Sequence, residues 1–134
     1  MECKIFKVNE LKKYKFVVVL SKYQGKILLS RHKDRTTWET QGGHIEPGEM
    51  PLEAAKRELY EESGAVEFDM EPVCDYCVGE EEAGGMVFTA DIRRLGDIPD
   101  SEMAEIRIFD ALPENLTYPD ITPVLFAQIS STGK

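Results

Sequence analysis

The stretch "GGHIEPGEMPLEAAKRELYEESGA", residues 42–65, joins a glycine pair and a proline-glycine turn to a segment dense in glutamate. From Pro51 onward it reads as a helix. Pro51 suits the first helical position, Glu53 the first turn, and Gly64 the residue just past the end. With about 100° per residue and Glu58 at zero, Glu61 falls at about 300° and Glu62 at about 40°. Like charges so placed repel by roughly 0.2–0.5 kcal/mol per pair. Ala55, Leu59 and Leu52 fall at about 60°, 100° and 120°, an apolar stripe that can anchor the helix on a sheet. Ala54, at about 320°, lies inside the acidic arc, where its small side chain leaves space above the carboxylates. Glu53 is on the far side and reads as a surface residue favoured by the helix dipole.

Two readings of the acidic arc stand at this point. One is a solvated face. The other is a cage for a hard cation, since a solvated face tends to intersperse lysines and this arc holds none. Mg²⁺ takes oxygen ligands octahedrally and completes its shell with water and substrate phosphates.

The residues upstream bear on that choice. Gly43, Glu49, Arg57, Glu58, Leu59, Glu61, Glu62 and Gly64 stand at the spacing of the Nudix box, and the whole stretch resembles that of the Nudix hydrolases. Ala65 occupies a slot where the family has a larger aliphatic residue, a packing position. "WETQGG", residues 38–43, is similar to the family's W-x-F-P-G-G, with Thr40 and Gln41 departing from it. "LPENLTYPDI", residues 112–121, resembles the MutT-like members.

The resemblance implies an α/β fold of the Nudix type, an α/β/α sandwich around a mixed sheet. It implies a divalent-metal-dependent enzyme, using Mg²⁺ or Mn²⁺, that hydrolyses the pyrophosphate of a nucleoside diphosphate linked to X. Carried onto this chain, Glu58, Glu61 and Glu62 become metal ligands assisted by a backbone carbonyl of Gly42 or Gly43, and one of them handles the attacking water. Arg57 and Glu49 become the ion pair that fixes the loop to the helix. A downstream carboxylate often joins such sites. The candidates are Glu80, Glu81, Glu82, Glu102 and Glu105, with Glu105 favoured, and a plain solvated loop residue is the rival reading for each.

Substrate clues are thinner. "SRHKDR", residues 30–35, gathers Arg31, His32, Lys33 and Arg35 ahead of the box. Arg31, Lys33 and Arg35 either meet phosphates or form a solvated basic turn. His44 stands near the box with its role open, and Trp38 reads as packing. The proline of the ADP-ribose type and the tyrosine of the diadenosine-polyphosphate type do not stand where those subfamilies have them. The short MutT-like group, acting on (d)NTPs, is therefore the expectation. ADP-ribose, a nucleotide sugar or another NDP-X is the alternative, and a non-catalytic nucleotide sensor the third reading.

Composition frames all this. At 134 residues, 42% hydrophobic and 31% charged, the chain reads as one domain, residues 1–134, with its own core. A net charge of −9 disfavours nonspecific contact with nucleic acid or anionic membrane; the resemblance implies a small nucleotide as the partner, bound by a monomer or homodimer. The longest apolar run, "FVVVL" at 16–20, is too short for a membrane span or an export signal, which makes the cytoplasm the expected location. Cys74 and Cys77 read as ordinary strand residues, because no second ligand pair stands at zinc spacing.

The remaining elements follow from pattern. Residues 14–22 and 26–32 read as a hairpin, 36–40 as a short strand, and "QGG" at 41–43 as a turn. Residues 66–78, 85–93 and 104–112 read as strands, and a closing helix starts at Asp120.

Overall fold

A computed structural model of the chain describes residues 2–79, 84–99 and 103–130. The strands are β1 (Cys3–Phe6), β2 (Tyr14–Tyr23), β3 (Lys26–His32), β4 (Trp38–Glu39), β5 (Gln41–His44), β6 (Ala65–Val78), β7 (Gly84–Leu95) and β8 (Met103–Phe109). Helix α1 covers Pro51–Ser63 and α2 covers Thr122–Ser130. All the strands belong to one sheet in the order β1-β6-β7-β2-β3-β4, with β5 beside β2 and β8 beside β3. The β2–β7 pairing is parallel and the others are antiparallel, so the sheet is mixed.

Alternation along the strands divides the core. Val17 and Val19 of β2 and Leu28 of β3 point to one face, with Met86, Phe88, Ala90 and Ile92 of β7. There they meet Ala54, Ala55 and Leu59 of α1. Leu20, Leu29 and Val87 point to the other face and pack with Leu125 and Phe126 of α2. The result is an α/β/α sandwich. Burying a side chain such as Leu59 contributes about 1.5–3 kcal/mol to it.

The β2–β3 hairpin turns at Gln24 and Gly25, both with positive φ (55° and 78°), the conformation that matches strand twist. Strand β1, absent from the reading by pattern, adds a short edge beside β6. "QGG" is not a turn: it forms β5, which crosses beside β2 in register Val17 to Gly43 and Val18 to Gly42. The closing helix begins at Thr122, two residues later than expected. Among the described residues no helix is long and apolar enough to cross a membrane.

Candidate active site

Helix α1 ends where the sequence signals place it. Glu53 accepts the Met50 N–H at 2.9 Å, closing the first turn, so it is a cap rather than a bare surface residue. Gly64 takes a left-handed conformation (φ 81°) and its N–H returns to Tyr60 O. The buried face differs from the expected stripe. Ala54, Ala55, Leu59 and Ser63 are buried, whereas Leu52 is 41% exposed. Ala54 fills core space instead of leaving room over the carboxylates.

That shift has a chemical consequence. Ala54 and Leu59 flank Glu58 and Glu62 around the helix, so these two carboxylates lie within the buried face instead of beside it. Desolvation is the largest effect on each. It pushes Glu58 up to about 7 against the pull of Arg57, and Glu62 up to about 8 against the pull of the Gly42 N–H. Glu61, whose side chain is 45% exposed, stands at the rim.

Strand β5 is the floor under them. The Gly42 N–H donates to Glu62 Oε1 at 2.8 Å. Gly42 has φ +150°, and a Cβ there would lie 2.2 Å from Val17 O. At Gly43 a Cβ would lie 2.1 Å from Glu58 Oε2, so the missing side chain is the space that the carboxylate occupies.

Arg57 ties the loop to the helix. Its Nε and a terminal nitrogen donate to the two oxygens of Glu49 at 2.7 and 2.9 Å, a bidentate fork. It also donates to His44 O at 3.2 Å and Glu61 Oε1 at 3.2 Å, and stands 3.4 Å from Glu58 Oε2. Hydrogen bonding to Arg57 is the main reason that Glu49 is held down at about 2.

Among the described residues, no three His, Cys, Asp or Glu side chains form a ready-made metal cluster. Glu58 and Glu61 turn toward Arg57, and Glu62 toward Gly42. The donor set nonetheless suits a hard divalent cation: carboxylate oxygens on one helix face, two of them desolvated, beside a glycine cradle open only because Cβ atoms are absent.

The other expected residues divide. Arg31 donates to Glu105 at 3.0 Å and to Arg35 O at 3.0 Å, bracing its own turn. Glu105 also faces Arg107, so its carboxylate is engaged by two arginines. Arg35 bonds Glu39 and Tyr118, Lys33 is exposed on the same turn, and His44 packs edge-on against Phe16 at 5.0 Å. Glu80, Glu81, Glu82 and Glu102 lie outside the described residues. Trp38 is buried against Phe109 and under the Arg107 guanidinium.

A cavity of about 430 Å³ opens on the α2 side of β5, lined by Phe16, Thr40, His44, Tyr76 and Tyr118 among others. Gly42 and Gly43 line it too, so β5 touches both the cavity and the carboxylates. Glu39 and Tyr118, both held by Arg35, are also in its wall. Tyr118 is a residue that pattern reading passed over, since a tyrosine beside a proline reads as loop.

Residues 11–114 match the family model for the NUDIX domain. The "Putative 8-oxo-dGTP diphosphatase YtkD" of Bacillus subtilis (strain 168) is 39% identical over 106 residues, covering 77% of this chain and 66% of that protein. An RNA pyrophosphohydrolase of Francisella philomiragia is 39% identical over 56 residues, covering 42% of this chain and 36% of its own length. The chain thus spans less than two thirds of each of these curated relatives. The crystal structure of a mutant of the Bacillus subtilis pyrophosphohydrolase BsRppH superposes with a TM-score of 0.79 at 28% identity, covering 98% of this chain and 91% of that one.

Proposed function

This chain belongs to the Nudix family, and from that premise we propose that it is a divalent-metal-dependent pyrophosphohydrolase. Its substrate on this reading is a free (d)NTP, cleaved to the nucleoside monophosphate and pyrophosphate. The observation that carries the proposal is the seating of Glu58 and Glu62 on the buried face of α1 against Gly43 and Gly42.

Glu58, Glu61 and Glu62 would hold Mg²⁺ or Mn²⁺, with a carbonyl of Gly42 or Gly43 beside them. A bound cation offsets phosphate charge, orients the pyrophosphate and lowers the pKa of an attacking water. The chain supplies position. Arg57 holds Glu49, and through it the loop over the helix start, while its Nη1 stands within reach of both Glu58 and Glu61. Glu61, the most solvent-open of the three, would pass the proton lost by the water to bulk, and its exposure supports that role. The cavity beside β5 takes the nucleoside, with Phe16, Tyr76 and Tyr118 offering aromatic surface and the glycines a path for the phosphates. Such chemistry belongs with the cytoplasmic nucleotide pool.

A second reading is favoured by one comparison, the near whole-chain likeness to BsRppH. On that reading the triphosphate is the 5′ end of an RNA, in place of the expected absence of nucleic-acid partners. The same carboxylates would serve. A panel of (d)NTPs, oxidised dGTP, NDP-sugars, ADP-ribose and a 5′-triphosphate RNA, each with Mg²⁺ or Mn²⁺, tests both. Release of pyrophosphate from free NTPs supports the first reading, and exclusive action on RNA supports the second. Binding without turnover across the panel overturns both in favour of a sensor.

A further inference from the structure

Ser21, Ser30 and Gln41 lie fully buried between the sheet and α1. Ser21 continues the inward row of Val17 and Val19, and Ser30 continues that of Leu28, so an apolar residue at either position would match its neighbours. Buried polar groups of this kind stabilise nothing unless every partner is in place. Here they are joined in one directed string. Ser21 Oγ donates to Gln41 Oε1 at 2.6 Å. Gln41 Nε2 donates to Ser30 Oγ at 2.9 Å and to Leu28 O at 3.4 Å. Ser30 Oγ donates to the main-chain oxygen of Glu62 at 2.8 Å.

The direction follows from proton counting. A serine hydroxyl has one proton, and Ser30 Oγ already accepts from the amide, so its own proton goes to Glu62. The amide orientation is the one that satisfies all three neighbours; turned over, it would draw the Ser30 proton to itself and leave the Glu62 carbonyl bare. Glu62 is the penultimate residue of α1, among the final carbonyls that no helical N–H can reach. Gly42, the next residue after Gln41, grips the carboxylate of the same Glu62. Glu62 is thus held at its main-chain carbonyl by Ser30, which Gln41 orients, and at its carboxylate by Gly42.

We propose that Ser30 and Gln41 are positioning residues for Glu62: the buried string fixes the last turn of α1, so that the Glu62 carboxylate presents its remaining oxygen in one place. This rests on the reading of Glu62 as a metal-holding carboxylate. Gln41 stands where the resembling motif has proline, which can form no such string.

The test uses Ser30→Ala and Ser30→Cys, the latter filling the volume with a poor donor. Free Mn²⁺ is measured by electron paramagnetic resonance, alongside steady-state turnover of an NTP and circular dichroism. With the fold retained, Mn²⁺ binding weakens and kcat falls by about 10–100-fold, while KM for the nucleotide stays within about twofold. If the alanine variant does not fold, the cysteine variant carries the result. Wild-type Mn²⁺ affinity and kcat in a folded Ser30 variant overturn the proposal. Glu62→Gln separates the two claims. Its loss of Mn²⁺ binding beside normal Ser30 variants overturns only the positioning role, whereas normal Mn²⁺ binding in Glu62→Gln overturns the metal reading itself.

Discussion

Gly43 lies so close beneath Glu58 that a Cβ on it would come within 2.1 Å of Glu58 Oε2. The obstacle is the far end of a flexible side chain, which can swing away, so Gly43→Ala should fold. It should do so with the carboxylate displaced. The expected result is a fall in kcat of tenfold or more, about 1.4 kcal/mol in the barrier, with a thermal midpoint near wild type. Gly42→Ala is the contrast. Its Cβ would meet backbone, Val17 O at 2.2 Å, in a conformation that L residues rarely adopt. It should lose about 1–3 kcal/mol or more of stability, read by denaturant unfolding. Equal stability in the two variants would contradict the packing described.

Arg57→Lys should retain the charge and lose the fork. A lysine has one nitrogen and cannot reach both oxygens of Glu49 while bonding His44 O and Glu61. We expect kcat/KM to fall by about 10–100-fold with the fold intact, since the loop and two carboxylates lose their common brace. Activity within about twofold of wild type would show that charge alone suffices.

Glu49 also gives an acid limb. Its folded value of about 2 lies below the ordinary 4.5, so the fold binds fewer protons there than the unfolded chain. The stability it contributes is fully present above about 4.5 and is lost as pH falls toward 2. Glu49→Gln should therefore be the less stable protein at neutral pH, and the gap from wild type should close on acidification. Parallel stability curves down to about pH 2 would contradict the pairing.

Glu58 and Glu62 have the opposite sign. Their folded values, about 7 and about 8, exceed the ordinary 4.5, so the fold holds protons that the unfolded chain has released. Without a cation, stability should fall as pH rises from about 4.5 to about 8. On the proposed metal reading, Mg²⁺ would bind the ionised pair and offset that loss. Its thermal shift should therefore be larger near pH 8 than near pH 5.5, read by calorimetry at fixed excess Mg²⁺. A shift independent of pH would contradict cation binding at these carboxylates.

The sequence and the structure agree where local chemistry is decisive. Pro51 and Gly64 bound α1 because a missing N–H and a left-handed cap are properties of single residues. The position of Glu58 and Glu62 was harder to read. Charged side chains are ordinarily counted as solvent-facing, so pattern sets the apolar stripe beside them through Leu52, whereas the helix turns them inward over Gly42 and Gly43. "QGG" reads as a turn by composition, yet its glycines serve a strand that must pass close to β2 and to Glu58. The engagement of Glu105 by Arg31 depends on β8 pairing with β3, and the Ser21–Gln41–Ser30 string on β5 meeting two strands. Both join residues distant in the chain, for which pattern offers no local signal.

The most direct measurement is pyrophosphate release from an NTP with Mg²⁺ by wild type, Glu58→Gln and Glu62→Gln, with thermal midpoints recorded without metal. The account predicts turnover by wild type, its loss in both variants, and metal-free midpoints at or above wild type at pH near 8, because each change removes a desolvated charge. Full turnover by the glutamine variants, with the same Mg²⁺ dependence as wild type, would contradict it.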